Sequence, residues 1–168
     1  SIQDMEIAAQ QTARHGYSSL WFGEGNGGND GFVLSGQCWA ASRSIKPEGI
    51  TTGLNITPVL LRTPLALAMS ARTMTELTHG RFVLGVGAGR AYSKEGRKVL
   101  GHSKVSSIEL MRDYLTILRG LLSGRTVEHK GLGASVDGAR LLIREPLDTP
   151  IYLGAVGPHM LRLGGELA

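Results

Sequence analysis

Three apolar, β-prone segments begin near residues 18, 50 and 81, about 31 residues apart, which is the length of a strand, a crossover helix and the loops that join them. Antiparallel hairpins need only a few residues between strands, so this spacing points to parallel strands and an α/β fold. The first segment is Ser18–Glu24, the second Ile50–Thr57, and the third starts at Arg81. Residues 1–15, with Ser1 three before Asp4 and Gly16 behind, read as a capped helix. Phe32–Arg43 reads as a second helix, and Thr63-Pro64 opens a third that Gly80 ends. A fourth strand is expected at Ile151-Tyr152-Leu153, followed by a last helix from Pro158 to Ala168.

Between the third and fourth strands the pattern changes. Arg90–Lys104 is basic and reads as irregular. Ser106 and Glu109 then form a capping box before the stripe Ile108, Met111, Leu115, Leu118 and Leu122, and Gly124 stops that helix. Thr126–His129 and Arg140–Ile143, joined by a glycine-rich link, are expected to pair as an inserted hairpin. The four parallel strands would leave two unpaired edges, which either the rest of a larger barrel or a second copy of the chain is expected to cover.

The third strand runs straight into Gly85-Val86-Gly87-Ala88-Gly89. Alternating glycines either let backbone N–H groups approach a phosphate or a flat ring that larger side chains would hold away, or serve only close packing of helix on strand in an empty barrel. Ile151–Pro158 is a related strand end, so one ligand site built from several strand ends is expected. The run is not the dinucleotide fingerprint: Arg90 stands where the third glycine is needed, and no acidic residue ends the next strand. Neither a Walker sequence nor a nucleophile elbow is present.

With 42% hydrophobic and 19% charged residues, the 168-residue chain has the balance of a folded domain. Its net charge of +4 is scattered and lacks a nucleic-acid-binding motif, so no nucleic-acid partner is expected. One cysteine, Cys38, excludes an internal disulfide and reads as a small buried hydrophobe. His15, His79, His102, His129 and His159 lack ligand spacing, and no metal is expected. No leader or membrane-length apolar run is visible, which makes cytoplasmic location and no membrane partner the default.

Four separated blocks together resemble the bacterial luciferase-like superfamily, most of all its coenzyme F420-dependent methylenetetrahydromethanopterin reductase branch. They are Gly16-Tyr17-Ser18-Ser19-Leu20-Trp21, Ile56-Thr57-Pro58 with Arg62-Thr63-Pro64, His79–Gly87, and Pro150–Pro158. The resemblance implies a (β/α)₈ barrel with F420 or FMN at the C-terminal strand ends. Residues 1–168 would be a single barrel portion holding family strands two to five, without the first and the last three.

The same resemblance implies that Glu24 is the acidic residue at the second strand's end, placed either for proton transfer or ring orientation as the catalytic residue or simply as a solvated loop-edge carboxylate, and Gly25 stands where the family often has a histidine. It implies that Ile56, Thr57 and Pro58 form a backbone bulge, often with a cis peptide, behind the ring; a cis bond before Pro58 would cost far less than a non-proline one, although most such bonds are trans, and the other reading is that Pro58 merely ends a strand. Gly87, Ala88 and Gly89 would line the ring, with Ala155, Val156 and Gly157 opposite. The basic residues Arg90, Lys94, Arg97, Lys98 and Lys104 would either attract an anionic cofactor tail or form a solvated loop. The expected function is a flavin- or F420-dependent reductase or monooxygenase moving a hydride between cofactor and a small organic substrate. The other reading is a non-catalytic, flavin-binding or self-associating shortened barrel.

Overall fold

The computed structural model describes residues 1–25, 27–142 and 148–168. Helix α1 (Ile2–Arg14) starts on the expected Ser1–Asp4 capping box. Strand β1 (Ser19–Phe22) leads into α2 (Gly31–Ser42), whose Phe32 and Val33 N–H groups are taken by the Asp30 carboxylate. Strands β2 (Thr51–Leu54) and β3 (Thr57–Pro58) precede a short 3₁₀ turn, Val59–Leu61, and α3 (Pro64–Leu77), capped by Thr63 with Pro64 in its first turn. Strand β4 (Phe82–Gly87) follows.

All four expected parallel strands are present. They form one parallel sheet in the order β1-β2-β4-β3, with β7 (Ile151–Leu153) against the other edge of β4. The second expected strand is split in two. Thr52 pairs with Phe82 and Thr57 with Val86, so this pass carries one more residue than β4 over the same span, which defines a bulge at Asn55–Ile56. The peptide bond there is cis. The cis bond lies two bonds before the Thr57–Pro58 bond, where a cis isomer would have cost least, and falls between the segments that pair.

One face of the sheet packs on helices. Leu54, Phe82, Leu84 and Val86 point to that side and are fully buried, as are Met111, Leu115 and Leu118 of α5 (Ser107–Leu122). The other face carries Trp21, Gly53, Gly85 and Tyr152. The Trp21 and Tyr152 rings stack across the sheet with centroids 5.8 Å apart, and a Cβ on Gly53 would lie 2.5 Å from the Trp21 ring. A large residue on the outer strand, Trp21, thus fills the space that Gly53 on the inner strand leaves free.

Two expectations are corrected. Lys94–Leu100, read as irregular, forms a two-turn helix, α4, capped by Ser93 and stopped by Gly101 at φ 72°. Gly96 lets this helix pack close, since a Cβ there would meet the Arg90 carbonyl oxygen at 2.5 Å. The inserted hairpin pairs β5 (Val127–Lys130) with β6 (Ser135–Ala139), not with Arg140–Ile143. The buried Asp113 carboxylate on α5 accepts hydrogen bonds from Gly133 N–H (2.8 Å) and Ala134 N–H (3.3 Å) and pairs with His129 at 2.8 Å, fixing the turn at 131–134. Anchored there, the return arm starts directly at Ser135, whereas apolarity alone favours the later run. Of that run Leu141 is buried and Leu142 exposed, and Ile143 lies outside the described residues. Helix α6 (Pro158–Leu167) closes the chain as expected.

Candidate functional site

The C-terminal ends of β1, β3, β4 and β7 converge on Ile56. Its carbonyl accepts from Glu24 N–H at 3.1 Å, which extends the β1 pairing past the bulge. Its side chain stands among glycines: a Cβ on Gly87, Gly89 or Gly154 would sit 3.2, 3.3 or 3.1 Å from Ile56 carbons. Gly85 answers to the bulge itself, because a Cβ there would fall 1.8 Å from the Leu54 carbonyl oxygen. Gly89 turns the chain at φ 56° beside the Pro58 ring. On the open side of Ile56 lies a cavity of about 310 Å³, lined by Trp21, Asn55, Ile56, Gly85, Tyr152 and Gly154 among others.

The structure therefore brings Ile56, Pro58, Gly87 and Gly89 together, and adds Gly154. Thr57 is buried beneath them with its hydroxyl turned to Arg62, and Ala88 is half-buried against the core. Ala155, Val156 and Gly157 form the rim between β7 and α6, where Val156 is 96% exposed.

Glu24 sits just past β1 with its side chain only 4% exposed. Both oxygens accept from Arg62, Oε2 from Nη1 and Oε1 from Nη2, each at 2.7 Å, and Oε1 also accepts from Gly31 N–H at 3.1 Å. Arg62 further donates to Thr57 Oγ1 at 3.1 Å and to Asp30 Oδ2, and its guanidinium lies 4.8 Å over the Phe32 ring. Burial is the largest influence on Glu24 and opposes its charge, but the hydrogen bonds from Arg62, Thr57 and Gly31 and the Arg62 charge outweigh it. The carboxyl is held below its ordinary range. Asp30 is lowered in the same way, burial again being outweighed by the Val33 and Phe32 N–H groups and by Arg62.

Arg62 and Asp30 carried no role in the sequence reading. The signal was a single arginine after the apolar run Val59-Leu60-Leu61, immediately before a helix cap, where a charge needs a partner. In the basic segment Arg97 is engaged, donating to the Tyr92 carbonyl and stacking 5.2 Å over the Tyr92 ring, while Arg90, Lys94, Lys98 and Lys104 are exposed. Among the described residues, no cluster of three or more His, Cys, Asp or Glu side chains could hold a metal ion, and no helix is long and apolar enough to cross a membrane.

The family described as luciferase-like monooxygenase matches residues 1–168. The chain belongs to that family. A 5,10-methylenetetrahydromethanopterin reductase of Archaeoglobus fulgidus is 35% identical over 127 residues, covering 75% of this chain and 35% of the relative. Among solved structures, an F420-dependent secondary alcohol dehydrogenase in complex with an F420-acetone adduct superposes with a TM-score of 0.83 at 20% identity, over 99% of this chain and 52% of that one. A type II Baeyer-Villiger monooxygenase of Pseudomonas putida, in complex with FMN, gives 0.73 at 16% identity over 90% of this chain and 46% of that one. The fold is thus a portion of the luciferase-like (β/α)₈ barrel, and the chain spans about a third to a half of the proteins it matches. F420-dependent enzymes and FMN-bound monooxygenases both stand among this luciferase-like chain's relatives.

Proposed function

We propose that residues 1–168 are strands two to five of a luciferase-like oxidoreductase barrel, and that their C-terminal ends form one wall of a seat for F420 or FMN. The observation that carries this reading is the open cavity beside Ile56, bounded by glycines whose missing Cβ atoms leave flat backbone at the strand ends. A planar ring fits such a wall. Ile56 would press on its back, and Gly87, Ala88 and Gly89 would line one side with Ala155, Val156 and Gly157 across from them. When bound, the cofactor would supply two-electron transfer to or from a small organic substrate.

This chain's own residues supply position and electrostatics. Glu24 is ionised and fully engaged, so its role is to hold the strand ends and place negative charge at the mouth; a carboxyl held below its usual range is a poor general acid near neutral pH. Ile56 and Leu54 exclude water from the back of the seat.

The test is titration of the purified chain with F420 and with FMN, followed by absorbance, fluorescence and thermal midpoint. Ligand at about 100 times its dissociation constant stabilises by roughly 2.7 kcal/mol, which moves the midpoint by several degrees in a chain of this size. A midpoint unmoved by either ligand, with no spectral change, would overturn the cofactor reading.

A further inference from the structure

The ion cluster behind the mouth has more in it than one pair. Arg62 touches the end of β1 through Glu24, the first turn of α2 through Asp30, and β3 through Thr57, while its own carbonyl accepts from Tyr114 Oη of α5 at 2.9 Å. Its side chain is 15% exposed and lies flat on Phe32. A lysine could meet one of these acceptors as a point charge, but only the planar fork can meet Glu24 with two bonds and still reach Thr57 and Asp30.

We infer that Arg62 is the positioning residue of this mouth: it ties three elements into one unit around Ile56 and keeps the Glu24 carboxylate from acting as a proton donor or acceptor. The inference rests on the proposed cofactor seat for its functional meaning, and on geometry alone for the ion cluster. Ile56 is held from both sides. Glu24 N–H grips its carbonyl, and the hydroxyl of the next residue, Thr57, is gripped by the same guanidinium that grips the Glu24 side chain. Displacing Arg62 therefore loosens the bulge and the β1 end together. The charged groups facing Glu24 are Arg62 and, across it, Asp30; the Gly31 N–H and the Thr57 hydroxyl are its neutral neighbours. With Arg62 gone, burial and the Asp30 charge both disfavour the Glu24 anion.

The experiment follows the Glu24 carboxyl carbon by NMR pH titration in the 168-residue chain carrying labelled glutamate, assigned by Glu24→Gln. In the parent Glu24 is expected to titrate below the other glutamates. In Arg62→Gln it is expected to move above the ordinary value of about 4.3. In parallel, F420 and FMN dissociation constants are measured from pH 5 to 8. Arg62→Gln is expected to weaken binding by about tenfold, the size typical of losing an outer support, with a pH dependence that disappears in the double variant with Glu24→Gln. Arg62→Lys is expected to restore the low titration of Glu24 in part but not the affinity. A Glu24 titration unchanged by Arg62→Gln overturns the inference, as does a loss of affinity that is flat with pH. If Arg62→Gln does not fold, Arg62→Lys decides by the same two readouts: unchanged affinity overturns the inference. If the parent binds neither cofactor, the proposed function fails, and the NMR titration alone still decides whether Arg62 governs Glu24.

Discussion

Gly85 and Gly87 lie two residues apart on one face of β4, yet replacing each by alanine should have opposite consequences. A Cβ on Gly85 would fall 1.8 Å from the Leu54 carbonyl oxygen and 2.9 Å from its carbon. Carbon and oxygen meet comfortably at about 3.3–3.6 Å, so the two backbones would have to part by roughly 1.5 Å. They cannot do so freely, since Thr52–Phe82 and Gly53–Val83 pair immediately before this point. Overpacking that side chains can absorb costs about 1–3 kcal/mol, and here the obstacle is backbone, so Gly85→Ala should cost about 3 kcal/mol or more. At roughly 2–4 °C per kcal/mol for a chain of this length, the thermal midpoint should drop by about 6–12 °C.

A Cβ on Gly87 meets only Ile56 Cδ1 and Cγ1, both at 3.2 Å, and a side-chain end can retreat by a few tenths of an ångström. Gly87→Ala should therefore stay within about 1 kcal/mol of the parent while filling the wall of the proposed ring seat. Circular dichroism melts give the stabilities, and titration with F420 and FMN gives the affinities. A Gly85→Ala protein that melts within a degree of the parent would refute the close-approach argument. A Gly87→Ala protein that binds either cofactor as tightly as the parent would refute the placement of that ring.

Other expectations follow from single contacts. Asp113→Ala should cost about 1–3 kcal/mol in urea unfolding, because it strands the Gly133 and Ala134 N–H groups, and amide exchange should quicken throughout β5 and β6. Glu24 and Asp30 are both lowered, so the stability they contribute is present above the ordinary carboxylate range and lost as pH falls through their lower folded values. Melts below about pH 4 should accordingly fall less steeply in Glu24→Gln than in the parent. Burial, with a smaller contribution from Glu6, pushes the Cys38 thiol up to about 11; native protein at pH 8 should resist iodoacetamide that labels it readily in urea.

Much of the fold was legible because its signals are local. Ser1 with Asp4, Thr63 with Pro64 and the α5 stripe depend on residues a turn or two apart, and each element formed where those residues stand. What was not legible depends on partners distant in sequence. The hairpin's return arm is set by Asp113, some twenty residues earlier, and no property of Ser135–Ala139 announces it. Lys94–Leu100 reads as irregular, and the approach of the Arg90 carbonyl to Gly96 shows only in the fold. Arg62 meets Glu24 and Asp30 across more than thirty residues, so the sequence could show a charge in need of a partner but not which one.

The glycine strand and the bulge beside it are best understood as one device. Read alone, the alternation from Gly85 to Gly89 suggests either backbone laid bare for a ligand or close packing. In the folded chain each glycine first answers to the neighbouring pass: Gly85 to the Leu54 carbonyl, Gly87 to the Ile56 side chain, Gly89 to the Pro58 ring. A bulge of one extra residue pushes Ile56 out of the sheet toward the mouth, and β4 can lie beside it only if its mouth-facing positions have no Cβ. Gly154 meets the same side chain from β7. The surface that remains, an isoleucine set among bare backbone and braced from behind by Glu24 and Arg62, is shaped by the protein's own packing before any ligand arrives. Such a wall is rigid and flat, as the proposed seat for a planar ring requires.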